Sequence, residues 1–354
     1  METEKIVAVV STDWHLQQDN IGEIQKLLSQ QIALCVKYKC PLFCLGDVFD
    51  SRVAQRESVL TAFSDILSAC NTAGVDMFCI PGNHDKTLYN SFNSFLTPFK
   101  FYPRFHLISD YFNYTPPGTQ GMSFLFIPFF DDATWLNVYE KSTSNFSNGD
   151  KQSIVLLSHI ALQGSVNNDG SVVESPIKPS LFKDFAAVYL GHYHNSQAPA
   201  HNVFHLPAIR QKNFGEDSVK GFTLLLSDGS VGDFVKGDFK EYVKIELNAD
   251  HLTKKQLSQL YNDLDPTRAY YRVVVQGDRA QLKGIDENVF LEKGIDFKKN
   301  CRDIIQCDND LCNKFELNTG GLSKSDVKEL FMSFCEEKGY DSNEGAKYLS
   351  TYFK

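Results

Sequence analysis

Long apolar runs are missing from this sequence: no stretch approaches the roughly eighteen uninterrupted apolar residues of a membrane span. The opening residues, Met1-Glu2-Thr3-Glu4-Lys5, lack a basic-then-apolar signal pattern, so the protein is expected in the cytoplasm and off the membrane. There is no Cys-x-x-Cys pair, and the nine cysteines, an odd set mostly among apolar neighbours, read as reduced structural thiols. Cys301, Cys307 and Cys312 are close in sequence, but their spacing fits no common zinc site and no histidine lies nearby. Surplus positive charge is absent too. With 44 acidic against 35 basic side chains the net charge is −9, so any affinity for nucleic-acid phosphates must come from a local patch, from metals or from another subunit. No internal repeat or low-complexity tract occurs.

What is present suffices for one large core and a smaller unit, since the 354 residues are 42% hydrophobic. Apolar runs predict strands at 6–10, 42–45, 76–80, 122–130, 153–157, 186–190 and 222–226. Helical spacing predicts helices over 21–37 and about 55–72, so the chain repeats strand, loop, helix, the pattern of an α/β layered domain. Near residue 245 the character shifts to a polar, helical 248–265 and a strand at 270–276, which reads as a second domain over 246–300 after a first over 1–245. Residues 301–354 are expected to be a helical segment, with Ser323 as cap and Val327, Leu330, Phe331, Phe334 and Cys335 as its apolar stripe.

Five short segments follow the predicted strands: Asp13-Trp14-His15, Gly46-Asp47-Val48-Phe49-Asp50, Gly82-Asn83-His84-Asp85, Ser158-His159 and Gly191-His192-Tyr193-His194. Each alone is common turn chemistry, but together they supply the carboxylates and imidazoles that two divalent metals use to hydrolyse a phosphate ester. In an extended segment Asp13 and His15 leave the same side of the backbone and can reach one metal. Asp47, with two oxygens, can bridge metals about 3.5–4 Å apart. Asn83 adds a neutral oxygen, while His159, His192 and His194 add nitrogen donors that suit manganese, iron or zinc better than an all-oxygen magnesium site. His84 is expected to stay off the metals and donate a proton to the departing oxygen, with Asp85 holding its ring. Two divalent cations against two carboxylates leave a formal charge of about +2, attractive to a phosphate even in an acidic protein.

These segments resemble the calcineurin-like metallophosphoesterase superfamily. Over roughly 5–245 the chain is most similar to SbcD-type DNA repair nucleases, through Asp13-Trp14-His15-Leu16, Gly46-Asp47-Val48-Phe49-Asp50, Asn213-Phe214-Gly215-Glu216 and Lys220-Gly221-Phe222. The resemblance implies a four-layered αββα sandwich with a smaller α+β capping domain. It also implies one metal on Asp13, His15, Asp47 and His194, a second on Asp47, Asn83, His159 and His192, and His84 as the catalytic histidine. Manganese would be the usual metal, with Fe2+, Zn2+ or Mg2+ as substitutes. DNA, an SbcC-type ATPase and a second copy of the chain would be the partners. Two departures stand out: Leu206-Pro207-Ala208-Ile209 replaces a Gly-Ser-Pro-like turn, and Asp50 stands where some members have a histidine. Ser51 between Asp50 and Arg52 speaks against the protein phosphatase branch.

Three functions therefore compete. The first is a DNA nuclease subunit working with an ATPase, and the second is an enzyme for cyclic nucleotides or dinucleotides, which a closed pocket under the second domain would favour. The third is a mainly scaffolding subunit docked through its terminal helix.

Overall fold

The chain's apolar runs become strands of two facing sheets. The computed structural model describes residues 5–302 apart from 118, 120, 168 and 169, together with 332 and 333. One sheet begins with β1 (Ile6–Ser11), β2 (Leu42–Cys44), β3 (Met77–Cys79) and β4 (Phe105–Leu107), all parallel and adjacent in that order. The second contains β5 (Phe112–Tyr114), β6 (Ser123–Ile127), β7 (Ile154–His159), β8 (Ala187–Gly191), β9 (Gln197–Ala200) and β10 (Val203–His205), in the order β5-β6-β7-β8-β10-β9. The chain then returns to the first sheet with β11 (Gly221–Leu226) and β12 (Val231–Lys236), antiparallel beside β1.

Alternation along each strand sorts side chains between two cores. Val9, Leu42 and Cys44 face α1 (Ile21–Tyr38) and α2 (Glu57–Ala73), whereas Ala8, Val10 and Phe43 face the opposite sheet. On that sheet Val155 and Leu157 point back toward Phe43, while Ile154 and Leu156 pack outward against α3 (Asp132–Thr143). The result is the expected four-layered αββα sandwich. Helix α2 stops at Gly74, whose φ of +70° is the left-handed conformation that glycine adopts without a Cβ penalty.

Differences from the sequence reading have local causes. The strand expected over 122–130 ends at Ile127 because Pro128 has no amide to give the ladder. Helix α3 was not anticipated: Asp131 caps it by accepting from the Thr134 amide, and Trp135, Val138 and Tyr139 form its buried face. The Trp135 indole donates to the Ser158 hydroxyl, which fixes the end of β7 beside His159.

A third sheet of parallel strands, β13 (Glu241–Asn248), β14 (Ala269–Gly277) and β15 (Asp296–Cys301), follows, with a small core around Val273, Val275, Leu282, Phe290 and Phe297. A division at residue 245 would cut β13. The start of β13 is joined to the sandwich by Gln211, whose amide oxygen accepts from the Tyr242 amide, and β14 is joined to it by Arg272 over the Phe214 ring. Of the helix expected around Val327 to Cys335 only residues 332 and 333 are described, both helical; its apolar stripe lies outside the described residues. Among the described residues six cysteines are free, five of them buried, and no helix is long and apolar enough to cross a membrane.

Phe43 is fully buried between the sheets, edge-on to Phe78, Phe124 and Phe126. Phe43→Ala is expected to cost about 3–5 kcal/mol and to lower the urea midpoint with the denaturant slope unchanged.

Candidate metal centre

Every expected site segment sits at the C-terminal end of a parallel strand, so β1, β2, β3, β7 and β8 deliver their loops to one edge of the sandwich. The backbone there is unusual. Asp13, His15, Asp47 and His192 have φ of 54°, 47°, 51° and 95°, four of the six non-glycine residues with positive φ among those described. Asp13 and His15 therefore do not converge through an extended segment, as the sequence reading had it. The Asp13 and His15 amides donate to the Gly46 and Asp47 carbonyls, which twists both residues left-handed and turns both side chains inward. Trp14 points away and donates to Ser11.

The seven expected ligands come together. His15 Nε2 lies 2.9 Å from His194 Nε2, 3.8 Å from Asp47 Oδ2 and 3.9 Å from Asp13 Oδ1. His159 Nε2 is 3.0 Å from Asn83 Oδ1 and 3.4 Å from Asp47 Oδ2, and His192 Nδ1 is 2.8 Å from the same Asn83 oxygen. Asp47 is thus shared between a His15/Asp13/His194 side and a His159/Asn83/His192 side. The approach is tight: a Cβ at Gly82 would lie 2.2 Å from Asp47 Oδ1.

An outer layer orients the imidazoles, and most of it was not legible in the sequence. His159 Nδ1 donates to the Leu45 carbonyl at 2.7 Å, and His194 Nδ1 donates to Glu216 at 2.8 Å. His15 Nδ1 lies 3.1 Å from Asp50, which is itself held by Lys212 at 2.6 Å. The His159 and His194 rings thus have one nitrogen hydrogen-bonded outward, His15 Nδ1 faces the Asp50 carboxylate, and Nε2 of all three is left for the centre, the arrangement that metal-binding histidines use. Glu216 and Asp50 stood within segments that the sequence singled out, but nothing there named their partners, and Lys212 gave no signal at all.

Asp85 departs from its expected role. Its carboxylate accepts from the Gly82 amide at 2.8 Å, the Phe49 amide at 2.9 Å and the Val48 amide at 3.2 Å, and so ties the Asp47 loop to the Asn83 loop. The His84 ring is instead held by the Asp50 carbonyl, 2.5 Å from Nδ1, while Nε2 meets the Arg52 guanidinium at 2.8 Å. Three buried amides outcompete one imidazole for a carboxylate that points inward.

Burial and charge set the protonation of the cluster. Burial pushes His15 down to about 4 and, with the neighbouring His159, His192 down to about 3. Burial would depress His159 as well, but Asp47 overrides it and lifts it to about 9. Asp47 is the mirror case: burial would raise it, yet His159, His15 and His84 hold it well below the usual carboxylate range. For His194, burial is outweighed by Glu216 and Asp13, and its pKa is raised. Asp85 is pushed up to about 7 by burial and by Asp47, against the three amides. His84 is lowered, chiefly by burial.

The residues fit divalent cations. Asp13 Oδ1 is buried with no hydrogen-bond partner, imidazole nitrogens face one another without a carboxylate between them, and three groups of ligand atoms, Asp13/His15/His194, His15/Asp47/His84 and Asp13/Asp47/His159, each lie within 4.8 Å. This fold and donor set define a metal-dependent phosphoester hydrolase. The chain belongs to the calcineurin-like phosphoesterase family, whose model matches residues 6–196, more than half of its length. A search of curated proteins finds no match to the chain.

His159 must lose a proton before it can bind a cation, so Mn2+ affinity should rise with pH toward about 9, with proton release on uptake. Calorimetry in buffers of different ionisation enthalpy reads this directly, and pH-independent uptake would contradict it. Asp47→Ala should leave both metal positions empty by elemental analysis. Asp85→Asn should cost about 2–4 kcal/mol, since one carbonyl oxygen cannot serve three amides; an unchanged urea midpoint with lost activity would return Asp85 to the role of ring holder.

Proposed function

We propose that this phosphoesterase is a manganese-dependent DNA nuclease subunit that acts with an SbcC-type ATPase in the processing of DNA ends, as a homodimer. The observation that carries the reading is the wiring of the 210–220 segment into the metal centre. Glu216 braces His194, and Lys212 braces His15 through Asp50. Residues 213–216 are among those on which the likeness to SbcD-type nucleases rests, and they lie beyond the matched span. Lys220, fully buried, binds Asn195 and Asp217 and keeps this segment against the His192–His194 loop.

Two cations held by Asp13, His15, Asp47, Asn83, His159, His192 and His194 would polarise the phosphate and activate the attacking water. The chain's own residues do the rest. Nδ1 of His84 donates to the Asp50 carbonyl, which fixes the ring and leaves Nε2 as the atom that would take up a proton and pass it to the departing oxygen. Phe129 lies parallel to His192 and edge-on to His159, limiting water on that side.

The small-phosphodiester alternative draws on the net charge of −9. It calls for an enclosed pocket beneath the third sheet. The cavity beside the site, about 410 Å³, is open and is lined by residues 16–19, 50, 51, 54–56 and 59, none from the third sheet.

A side-by-side assay of linear duplex DNA, single strands, cyclic nucleotides and phosphomonoesters with several metals tests the proposal. Linear DNA and bis-p-nitrophenyl phosphate should be cleaved with Mn2+, and His84→Asn should keep its metals while turnover falls about 10²–10⁴-fold. Turnover of cyclic nucleotides with DNA left intact would sink the nuclease reading, and a parental rate for His84→Asn would remove its role as acid.

A further inference from the structure

Arg52 is placed oddly for a cation in an acidic protein. Its guanidinium stands at the mouth of the metal centre, with Nη2 2.8 Å from His84 Nε2 and Nη1 3.1 Å from the Tyr89 hydroxyl. Both partners are uncharged acceptors. Among the described residues no carboxylate forms an ion pair with Arg52, nor with Arg56, which donates to the Gln18 side chain away from His84, whereas Arg104, Arg210, Arg268, Arg272 and Arg302 each meet one. The other cation near the centre, Lys212, is already neutralised by Asp50. The side chain is also exposed, so it is free to swing without opening the core. A guanidinium offers a planar fork of donors that matches two oxygens of one phosphate, and it binds such an anion more strongly than it binds a neutral imidazole or phenol.

We propose that Arg52 is a substrate-binding residue that takes the non-bridging oxygens of the scissile phosphate, with the contact to His84 and Tyr89 as its resting position. Because the guanidinium rests on Nε2 of His84, the phosphate that draws it away also frees that nitrogen to take up a proton from solvent, the proton that the departing oxygen would receive. Phosphate binding and exposure of His84 are thereby one event. The inference rests on the phosphoesterase chemistry of this centre and not on DNA as its substrate.

The test uses the full chain loaded with Mn2+, inorganic phosphate as the binding probe and bis-p-nitrophenyl phosphate as the reporter. Arg52→Ala should keep the parental manganese content and weaken phosphate binding by about tenfold or more in calorimetry, with a matching rise in KM for the diester. Arg52→Lys, which keeps the charge and loses the fork, should recover part of that affinity. If both variants bind phosphate as the parent does while kcat falls, Arg52 only steadies the His84 ring and the proposal is overturned. A manganese-loaded parent that binds no phosphate overturns it as well. Failure to cleave DNA with phosphate affinity still lost in Arg52→Ala would count against the nuclease reading alone.

Discussion

Asp47 places a carboxylate at the meeting point of four loops, buried with His15, His159 and His84 around it, and the rest of the centre is a response to that charge. An isolated carboxylate in such a place would take up a proton, because its hydration is lost and nothing replaces it. Here the imidazoles replace it, and His159 keeps a proton that it would otherwise shed on burial. The pair is a store of opposite charges that a divalent cation can enter by displacing the proton. The same balance explains why the loops cannot simply relax apart: separating them would leave Asp47 buried and unpaired, a loss of several kcal/mol.

Holding that arrangement requires strain, and the fold concentrates it at one edge. Asp13, His15, Asp47 and His192 occupy left-handed backbone, which costs each about 1–3 kcal/mol unless its surroundings dictate it. The surroundings here are amide-to-carbonyl bonds between the β1 and β2 loops, the three amides gathered by Asp85, and the close passage of Gly82 over Asp47. Behind them stand parallel strands buried on both faces. Asp85 is thus closer to a keystone than to a catalytic group, since without its acceptor oxygens the Asp47 and Asn83 loops lose their common anchor.

The layered fold and the seven residues that meet at the candidate metal centre could be read from the sequence because both leave marks at fixed spacing. Strands announce themselves as apolar, β-branched runs, and ligands announce themselves as Asp, Asn and His just after those runs. What escaped was whatever depends on three-dimensional partners. Asp50, Lys212 and Glu216 are ordinary polar residues until the fold sets them against His15 and His194. The Asp85 role was misread because its neighbour in sequence, His84, was a more visible partner than the amides of Val48 and Phe49. Helix α3 has its cap and stripe in plain view at Asp131, Trp135, Val138 and Tyr139, but the preceding aromatic run read as a continuing strand.

An acidic chain that handles a phosphate ester must keep its own negative charge away from the phosphate's path. The centre does so by committing its carboxylates. Asp13 and Asp47 point toward the cation positions, Asp85 toward amides, Glu216 toward His194, and Asp50 toward His15 and Lys212, where its pKa is held low first by the His15 contact. Each of these five carboxylates is thus matched by a donor or aimed at the candidate cation positions. Arg52 forms no ion pair among the described residues, so the charge it brings to His84 is positive and the local field there opposes the overall −9. Over distances beyond a Debye length of about 8 Å the net charge is screened, which leaves this short-range pattern to decide what enters.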